Sequence, residues 1–235
     1  MGFIHYFRNC NVLYSSGDIY MKYSYGAYNK SDKKEQWIRI TEGCPNNCEY
    51  CYEPIEQKYF EIPKITRNKV KIMDMNLICK DKSAQIIKDL GNIKVNNKVV
   101  YYELICGIDY RYLTHYLADN LKKSRFKNIR LAWDYQFSKQ KLIKKSLEML
   151  FKAGYKPRDI TIFMICNWKT SYKDNKRKVD LCKVWNVKVA DCWYDNQLSP
   201  NIKPIFWTKK EIKDFRKTCR KHNQLVLFKI DPEEK

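Results

Sequence analysis

The chain has 235 residues, of which 44% are hydrophobic and 14% aromatic, enough to fill a sizeable core. No apolar run approaches the roughly 18 residues that span a bilayer, and no signal-peptide pattern begins the chain, so we expect a cytoplasmic protein with no membrane contact. The formal net charge of +20 predicts an anionic partner, either RNA or DNA or an acidic protein, although a coding bias toward Lys would explain part of it.

A repeated pattern begins near Gln36, in which an apolar run ends at a polar residue and a Lys-rich, helix-like stretch follows. This alternation predicts βα units and a parallel sheet. Residues 1–35 do not follow the pattern and are predicted to form an N-terminal extension, and residues 231–235 a solvated tail. The six predicted strands are Trp37–Ile40, Val70–Met73, Val99–Ile105, Asn128–Trp133, Ile160–Ile165 and Val187–Ala190.

Helix signals stand between these strands. Thr114 is a candidate N-cap, and Gly154 is placed to end the amphipathic run Leu142–Phe151. The segment Thr208–Glu211 has the pattern of a capping box. Ser83–Leu90 predicts a shorter helix that ends at Gly91.

Three cysteines, Cys44, Cys48 and Cys51, follow the first predicted strand with the spacing C-x3-C-x2-C. Three thiolates on one short loop would leave one iron of a [4Fe–4S] cluster open, and the spacing differs from that of two-cluster ferredoxins. A zinc site, or three structural thiols, are the alternatives. We interpret the other seven cysteines as buried thiols, with an auxiliary cluster as the alternative; they are Cys10, Cys79, Cys106, Cys166, Cys182, Cys192 and Cys219.

With Tyr50 just before the third cysteine, the loop resembles the C-x3-C-x-aromatic-C signature of the radical S-adenosylmethionine (SAM) superfamily. The resemblance implies a partial (β/α)6 TIM-like barrel over residues 36–230, preceded by the N-terminal extension. It also implies a [4Fe–4S] cluster whose open iron binds SAM, and an electron donor such as flavodoxin or ferredoxin. Reductive cleavage of SAM then gives a 5′-deoxyadenosyl radical that abstracts hydrogen from a substrate.

Polar residues end the predicted strands. Ligands of parallel βα folds bind at the carboxyl ends of the strands, so we expect these side chains to surround one site. Helix capping is the alternative for each of them. They are Asp74, Asn76, Asp109, Arg111, Asp134, Asn167 and Asp191.

The family's Gly-Gly-Glu motif is absent, and Asp74-Met-Asn76 resembles the D-x-N variant of some branches. The segment 107–114 resembles a G-x-D-x-R-x-L-T element of the same branches. The resemblance implies that Asp74 and Asn76 bind the amino end of SAM, Arg111 its carboxylate, and Asp109 or Asp134 its ribose. Only 35 residues precede the barrel and no D-x-H-x-x-G motif is present, so we do not expect cobalamin chemistry.

Three substrate classes remain open. A nucleic acid or nucleotide derivative is favoured by the net charge and by a predicted loop that carries Trp168, Tyr172, Lys176, Arg177 and Lys178. A free small molecule is the second class, with the basic surface docking an acidic electron donor. The third is a glycyl-radical activase that acts on a partner protein, or a protein that keeps the cluster for structure.

Overall fold

The computed structural model describes residues 26–51, 53–134, 136–166, 168–193 and 207–228. They form two four-stranded sheets, two two-stranded sheets and the helices between them. The strands are β1 (Tyr28–Ser31), β2 (Gln36–Arg39), β3 (Thr41–Glu42), β4 (Lys58–Tyr59), β5 (Lys69–Ile72), β6 (Lys94–Val95), β7 (Lys98–Val99), β8 (Tyr101–Leu104), β9 (Ile108–Asp109), β10 (Ile129–Ala132), β11 (Ile160–Cys166) and β12 (Lys188–Trp193). The helices are α1 (Ser83–Asn92), α2 (His115–Lys123), α3 (Gln140–Lys152), α4 (Tyr172–Val184) and α5 (Lys209–Phe228).

The two sheets have the strand orders β1-β2-β5-β8 and β9-β10-β11-β12. All neighbours are parallel except β1, which pairs antiparallel with β2. Tyr102 of β8 joins the sheets, because its N–H donates to the Arg125 carbonyl at 3.2 Å and its carbonyl accepts from Lys127 N at 2.8 Å. Strands β2, β5, β8, β10, β11 and β12 therefore follow one another in space as they do in sequence.

These are the six predicted strands, so the α/β class is confirmed. Each strand begins within two residues of its predicted start. Each also ends within one residue of its predicted end, except β12, which continues three residues further. The closed curvature of a barrel stays a prediction. Of the predicted extension, residues 26–35 are described and contribute β1 as an edge strand; residues 1–25 and the tail 231–235 lie outside the described residues.

Apolar strand residues and one face of each helix make the core. Ile72 in β5 and Ile162 in β11 are fully buried, and Ile143 and Leu147 of α3 pack into the same cluster. The predicted caps are present: Thr114 Oγ1 accepts from Leu117 N at 3.2 Å. In the capping box, Glu211 N donates to Thr208 Oγ1 at 3.2 Å while Thr208 N donates to the Glu211 carboxylate at 2.8 Å.

Gly91 does not end α1, contrary to the prediction. The helix continues to Asn92, and a Cβ at Gly91 would lie 2.5 Å from Ser124 Oγ. A glycine therefore stands there because the neighbouring chain approaches closely, while Gly154, with φ of +93°, follows α3 as predicted. None of the described helices combines the length and apolar character needed to cross a membrane.

Candidate functional site

The cysteine loop leaves β3 and is closed at its base by backbone hydrogen bonds. Cys44 N donates to the Pro54 carbonyl at 2.7 Å, and Gly43 N donates to the Glu53 carboxylate at 2.6 Å. Gly43 has a φ of +88°, and a Cβ there would lie 1.9 Å from the Glu56 carbonyl oxygen. Only glycine fits this position, so the sequence of the loop base determines where Cys44 emerges.

The three thiols line one cavity of about 100 Å³ at the carboxyl ends of the strands. A turn brings them together, in which Cys51 N donates to the Cys48 carbonyl at 2.8 Å. Within the described ranges, no three His, Cys, Asp or Glu side chains are placed to share a single metal ion. The cavity is also lined by Asn46, Tyr50, Met75, Asn76, Cys106, Gly107, Ile108, Asp109, Ala132, Asp134, Phe163, Ile165 and Cys192.

The three thiols have different electrostatic surroundings. Hydrogen bonding with the Cys79 thiol and the Asn76 amide lowers the pKa of Cys44 to about 6. Burial raises the pKa of Cys48 and raises that of Cys51 to about 12. A bound cation deprotonates a coordinating thiol outright, so iron would overcome the cost of burying the latter two thiolates.

Asn76 and Asp74 lie in different surroundings and have different hydrogen-bond partners. Asn76 lines the cavity, where its Nδ2 lies 3.6 Å from Cys44 Sγ and its buried Oδ1 has no hydrogen-bond partner among the described residues. The Asp74 carboxylate instead accepts from Ile40 N at 3.0 Å and from Thr41 Oγ1 at 2.5 Å, and burial raises its pKa to about 6. Asp74 holds the start of β3 and lies outside the cavity lining, so we do not propose it as a cofactor contact.

Asp109 connects the cysteine loop to the end of β9. Its carboxylate accepts from Asn46 Nδ2 at 2.7 Å and from Arg111 Nε at 3.0 Å, while Tyr112 donates its hydroxyl to Asn46 Oδ1 at 2.8 Å. Arg111 lines a second, adjoining cavity of about 270 Å³ that shares Asn46, Cys48, Tyr50 and Asp134 with the first. This network fixes the loop relative to the second sheet.

Asp134 follows β10 and faces Tyr50 of the loop, whose hydroxyl donates to its carboxylate. Burial raises the pKa of both groups. The buried amine of Lys178 donates to the Trp133 carbonyl at 3.2 Å and to the backbone carbonyl of Asp134. The predicted residues Cys44, Cys48, Cys51, Tyr50, Asn76, Asp109 and Asp134 thus meet at one cavity, with Arg111 beside it and Asn167 outside the described residues.

The prediction that the basic and aromatic residues after β11 lie in a loop is wrong, because most of them lie on a helix. Tyr172, Lys176, Arg177 and Lys178 lie on α4, which begins early because Ser171 Oγ accepts from Asp174 N at 3.1 Å. Trp168 and Lys178 are buried. Tyr172 donates its hydroxyl to Asp214, Lys176 pairs with the same carboxylate at 3.5 Å, and Arg177 pairs with Asp174 at 3.4 Å.

Several residues at or beside the cavity were not predicted to belong to the site. Asn46 lies inside the cysteine loop, where a polar residue between ligands was an available signal. Cys106 and Cys192 were interpreted as buried thiols, but both line the cavity. Cys79 lies beside the cavity, where it contacts Cys44. Cys182 and Cys219 are buried thiols, as predicted.

No protein-family model and no curated protein matches this sequence. Two solved structures of TsrM, a radical SAM methyltransferase from Kitasatospora setae, are similar. The one with cobalamin and a [4Fe–4S] cluster is 9% identical with a TM-score of 0.54, covering 67% of this chain and 36% of TsrM. The one with tryptophan and the SAM analogue aza-SAM is 9% identical with a TM-score of 0.55, covering 68% and 35%.

A third structure, the radical SAM enzyme coproporphyrinogen III oxidase (HemN) from Escherichia coli, is 14% identical with a TM-score of 0.49, covering 69% of this chain and 41% of HemN. This chain spans little more than a third of TsrM. The likeness shows that about two thirds of this chain share their fold with a part of TsrM.

Proposed function

We propose that this chain is a radical SAM enzyme in which Cys44, Cys48 and Cys51 hold a [4Fe–4S] cluster. The observation that carries the proposal is the convergence of three thiols and the unpartnered Asn76 Oδ1 on one cavity at the strand carboxyl ends. TsrM, which shares the fold, contains a [4Fe–4S] cluster in one structure and a SAM analogue in the other. Both observations support the same pair of groups here.

The side chains at the cavity suit the parts of SAM. Asn76 Oδ1 would accept from the amino group, and Asp134 would accept from a ribose hydroxyl. Arg111 keeps N–H donors beyond those that face Asp109, and these would bind the SAM carboxylate. The cluster would supply the electron that cleaves SAM to the 5′-deoxyadenosyl radical, which abstracts hydrogen from the substrate.

Anaerobic reconstitution tests this function. The parent protein should carry about four irons per chain and produce 5′-deoxyadenosine from SAM under a strong reductant. Ala at Cys44, Cys48 or Cys51 should abolish both. Cys182→Ala and Cys219→Ala are the controls, because these buried thiols lie on α4 and α5 and do not line the cavity. Normal SAM cleavage in any of the three loop variants would overturn the proposal.

For the substrate, we propose a nucleic acid or nucleotide derivative. The support is the net charge of +20, since phosphates bind Lys and Arg through counterion release. RNA or DNA affinity should then fall steeply as salt rises. If the parent protein binds neither polymer, the charge would instead favour a free small anion, or an acidic flavodoxin or ferredoxin that donates the electron.

A further inference from the structure

A larger chamber lies beside the cofactor cavity and shares Phe163 and Cys192 with it. Its volume is about 450 Å³, which is within the range of small-molecule sites. Strands β8, β10, β11 and β12 line one side and α5 lines the other. The remaining lining residues are Glu103, Asn128, Arg130, Thr161, Lys188, Val189, Ala190, Asp191, Arg220, Asn223, Gln224 and Leu227.

The position of α5 explains why the chamber exists. Strand β12 is the edge of its sheet, and Asn223 of α5 binds that edge. The Asn223 side chain accepts from Val189 N at 2.8 Å and donates to the Val189 carbonyl at 2.7 Å. The helix therefore lies along the edge strand, with Arg220 and Leu227 about one turn before and after Asn223.

The acidic residues of the chamber already have cationic partners. Glu103 pairs with Arg130 and with Lys71, and Arg130 also donates to the Ile105 carbonyl at 2.5 Å. Asp191 accepts from Trp193 Nε1 at 2.7 Å and lies 3.4 Å from Arg216. Neither carboxylate is left to bind a cationic ligand.

Two cations of the chamber have no such partner. Among the described residues, Lys188 and Arg220 form no ion pair within 4.0 Å and no side-chain hydrogen bond. Lys188 is half-buried, and burial lowers its pKa. Asp159 and Glu103 favour its charge from beyond ion-pair distance. An anion bound directly at a partly desolvated amine would stabilise that charge further. Phe163, Ala190 and Leu227 give the same chamber an apolar wall.

We propose that this chamber binds a small organic anion, with its phosphate or carboxylate at Lys188 and Arg220 and its apolar body against Phe163 and Leu227. Lys188 is the first residue of β12, so the anionic group would lie toward the amino ends of the strands and the apolar body would reach Phe163, which also lines the cofactor cavity. Through this shared wall the anion would be the substrate, a step that rests on the proposed function. A single nucleotide and a free aromatic acid share this chemistry. They differ in the anionic group, which the experiment separates.

Isothermal titration of the full, anaerobically reconstituted chain tests the chamber with two anions. Uridine 5′-monophosphate represents the phosphate and phenylacetate the carboxylate, with uridine and 2-phenylethanol as their neutral counterparts. At least one anion should bind at least tenfold more tightly than its counterpart. Lys188→Gln and Arg220→Gln should each weaken that binding about tenfold, because each removes a charged hydrogen-bond donor.

Lys217→Gln is the matched control, since it removes one exposed positive charge from α5 outside the chamber. It should leave the affinity for the anion unchanged, and circular dichroism should show that all variants fold. Equal binding of the anion by the parent protein and Lys188→Gln would overturn the proposal, as would failure of both anions to bind. SAM cleavage is measured separately, so anion binding without SAM cleavage would refute the proposed function and keep the chamber.

Discussion

The two cavities share a wall but differ in how their charges are balanced. At the cofactor cavity the protein supplies the partners: Asp109 accepts from Asn46 and Arg111, and Asp134 accepts from Tyr50. In the chamber beside it, Lys188 and Arg220 form no ion pair within 4.0 Å with any described residue. Hydrogen bonds within the protein hold the first site in place before a ligand binds. Cations without an ion-pair partner instead gain their counter-charge only from the ligand.

This difference predicts where substitutions act. Changes around the cysteine loop should affect stability and cluster assembly together, because the same hydrogen bonds serve both. Changes at Lys188 or Arg220 should affect ligand binding alone. The predictions below test this separation.

The largest effect should come from Gly43→Ala. The new methyl group would lie 1.9 Å from the Glu56 carbonyl oxygen, and neither backbone can move without opening the base of the loop. The unfolding free energy should fall by several kcal/mol, roughly 3 or more, and iron content after reconstitution should drop to a small fraction of the parent's.

Gly26→Ala is the matched control for this substitution. Gly26 also has a positive φ, +100°, but a Cβ there meets no atom of the described residues within 4 Å. Only the left-handed strain remains, about 1–2 kcal/mol, and iron content should not change. Parent-like iron loading of Gly43→Ala would show that the loop base is not required for the cysteine geometry.

Lys178 should give the protein a pH-dependent stability. Burial lowers its pKa to about 8, from the ordinary lysine value of 10.5 that applies to the unfolded chain. The unfolded chain therefore binds more protons between these values, and stability rises as pH rises through this window. Relative to Lys178→Met, the parent's unfolding free energy should increase by up to about 3 kcal/mol from pH 8 to pH 10.5, measured by urea unfolding. Parallel pH curves for the two proteins would contradict this.

The order of the strands and the cysteine loop could be predicted from local signals. Apolar runs of strand length, separated by capped helices, place consecutive strands as neighbours, and cysteine spacing alone identified the loop. Asp74 and Asn76 could not be separated in this way. The chain turns between them into the 3-10 turn Leu77–Cys79, so only the second of two nearby polar residues faces the cavity.

Two other features were not predicted. One had a sequence signal that was overlooked, and the other has no local signal in the sequence. Ser171 and Asp174 have the spacing of an N-cap, which would have placed the basic residues after β11 on a helix rather than in a loop. The chamber had no local signal, because Lys188 and Arg220 are 32 positions apart and line the same cavity only when Asn223 of α5 binds the edge of β12. Tertiary packing of this kind cannot be inferred from periodicity.

Substitutions at Asn76 and Asp74 should differ in their effect on SAM binding, and this effect should be smaller than the preceding ones. Asn76→Ala removes the only free acceptor that we assign to the SAM amino group, so SAM affinity should fall about 5- to 150-fold, equivalent to about 1–3 kcal/mol. In Asp74→Asn, the side-chain oxygen can still accept from Ile40 N and the amide group can donate to Thr41 Oγ1. This substitution should therefore leave the SAM affinity within about twofold of the parent's. Equilibrium binding of SAM to the iron-loaded variants measures both. A larger loss in Asp74→Asn than in Asn76→Ala would reverse our assignment of the two residues.

The smallest effect should come from the double substitution Lys176→Gln and Arg177→Gln on α4. Both cations already have acidic partners on the surface, Asp214 at 3.5 Å and Asp174 at 3.4 Å, and exposed pairs of this kind contribute at most about 1 kcal/mol each. The unfolding free energy should therefore change little, and the affinity for uridine 5′-monophosphate should stay within about twofold of the parent's. Arg220→Gln removes fewer charges but should cost about tenfold, because its charge faces the chamber without a partner. If the α4 pair lowered the affinity as much as Arg220→Gln does, total charge rather than the unpaired cations of the chamber would govern anion binding.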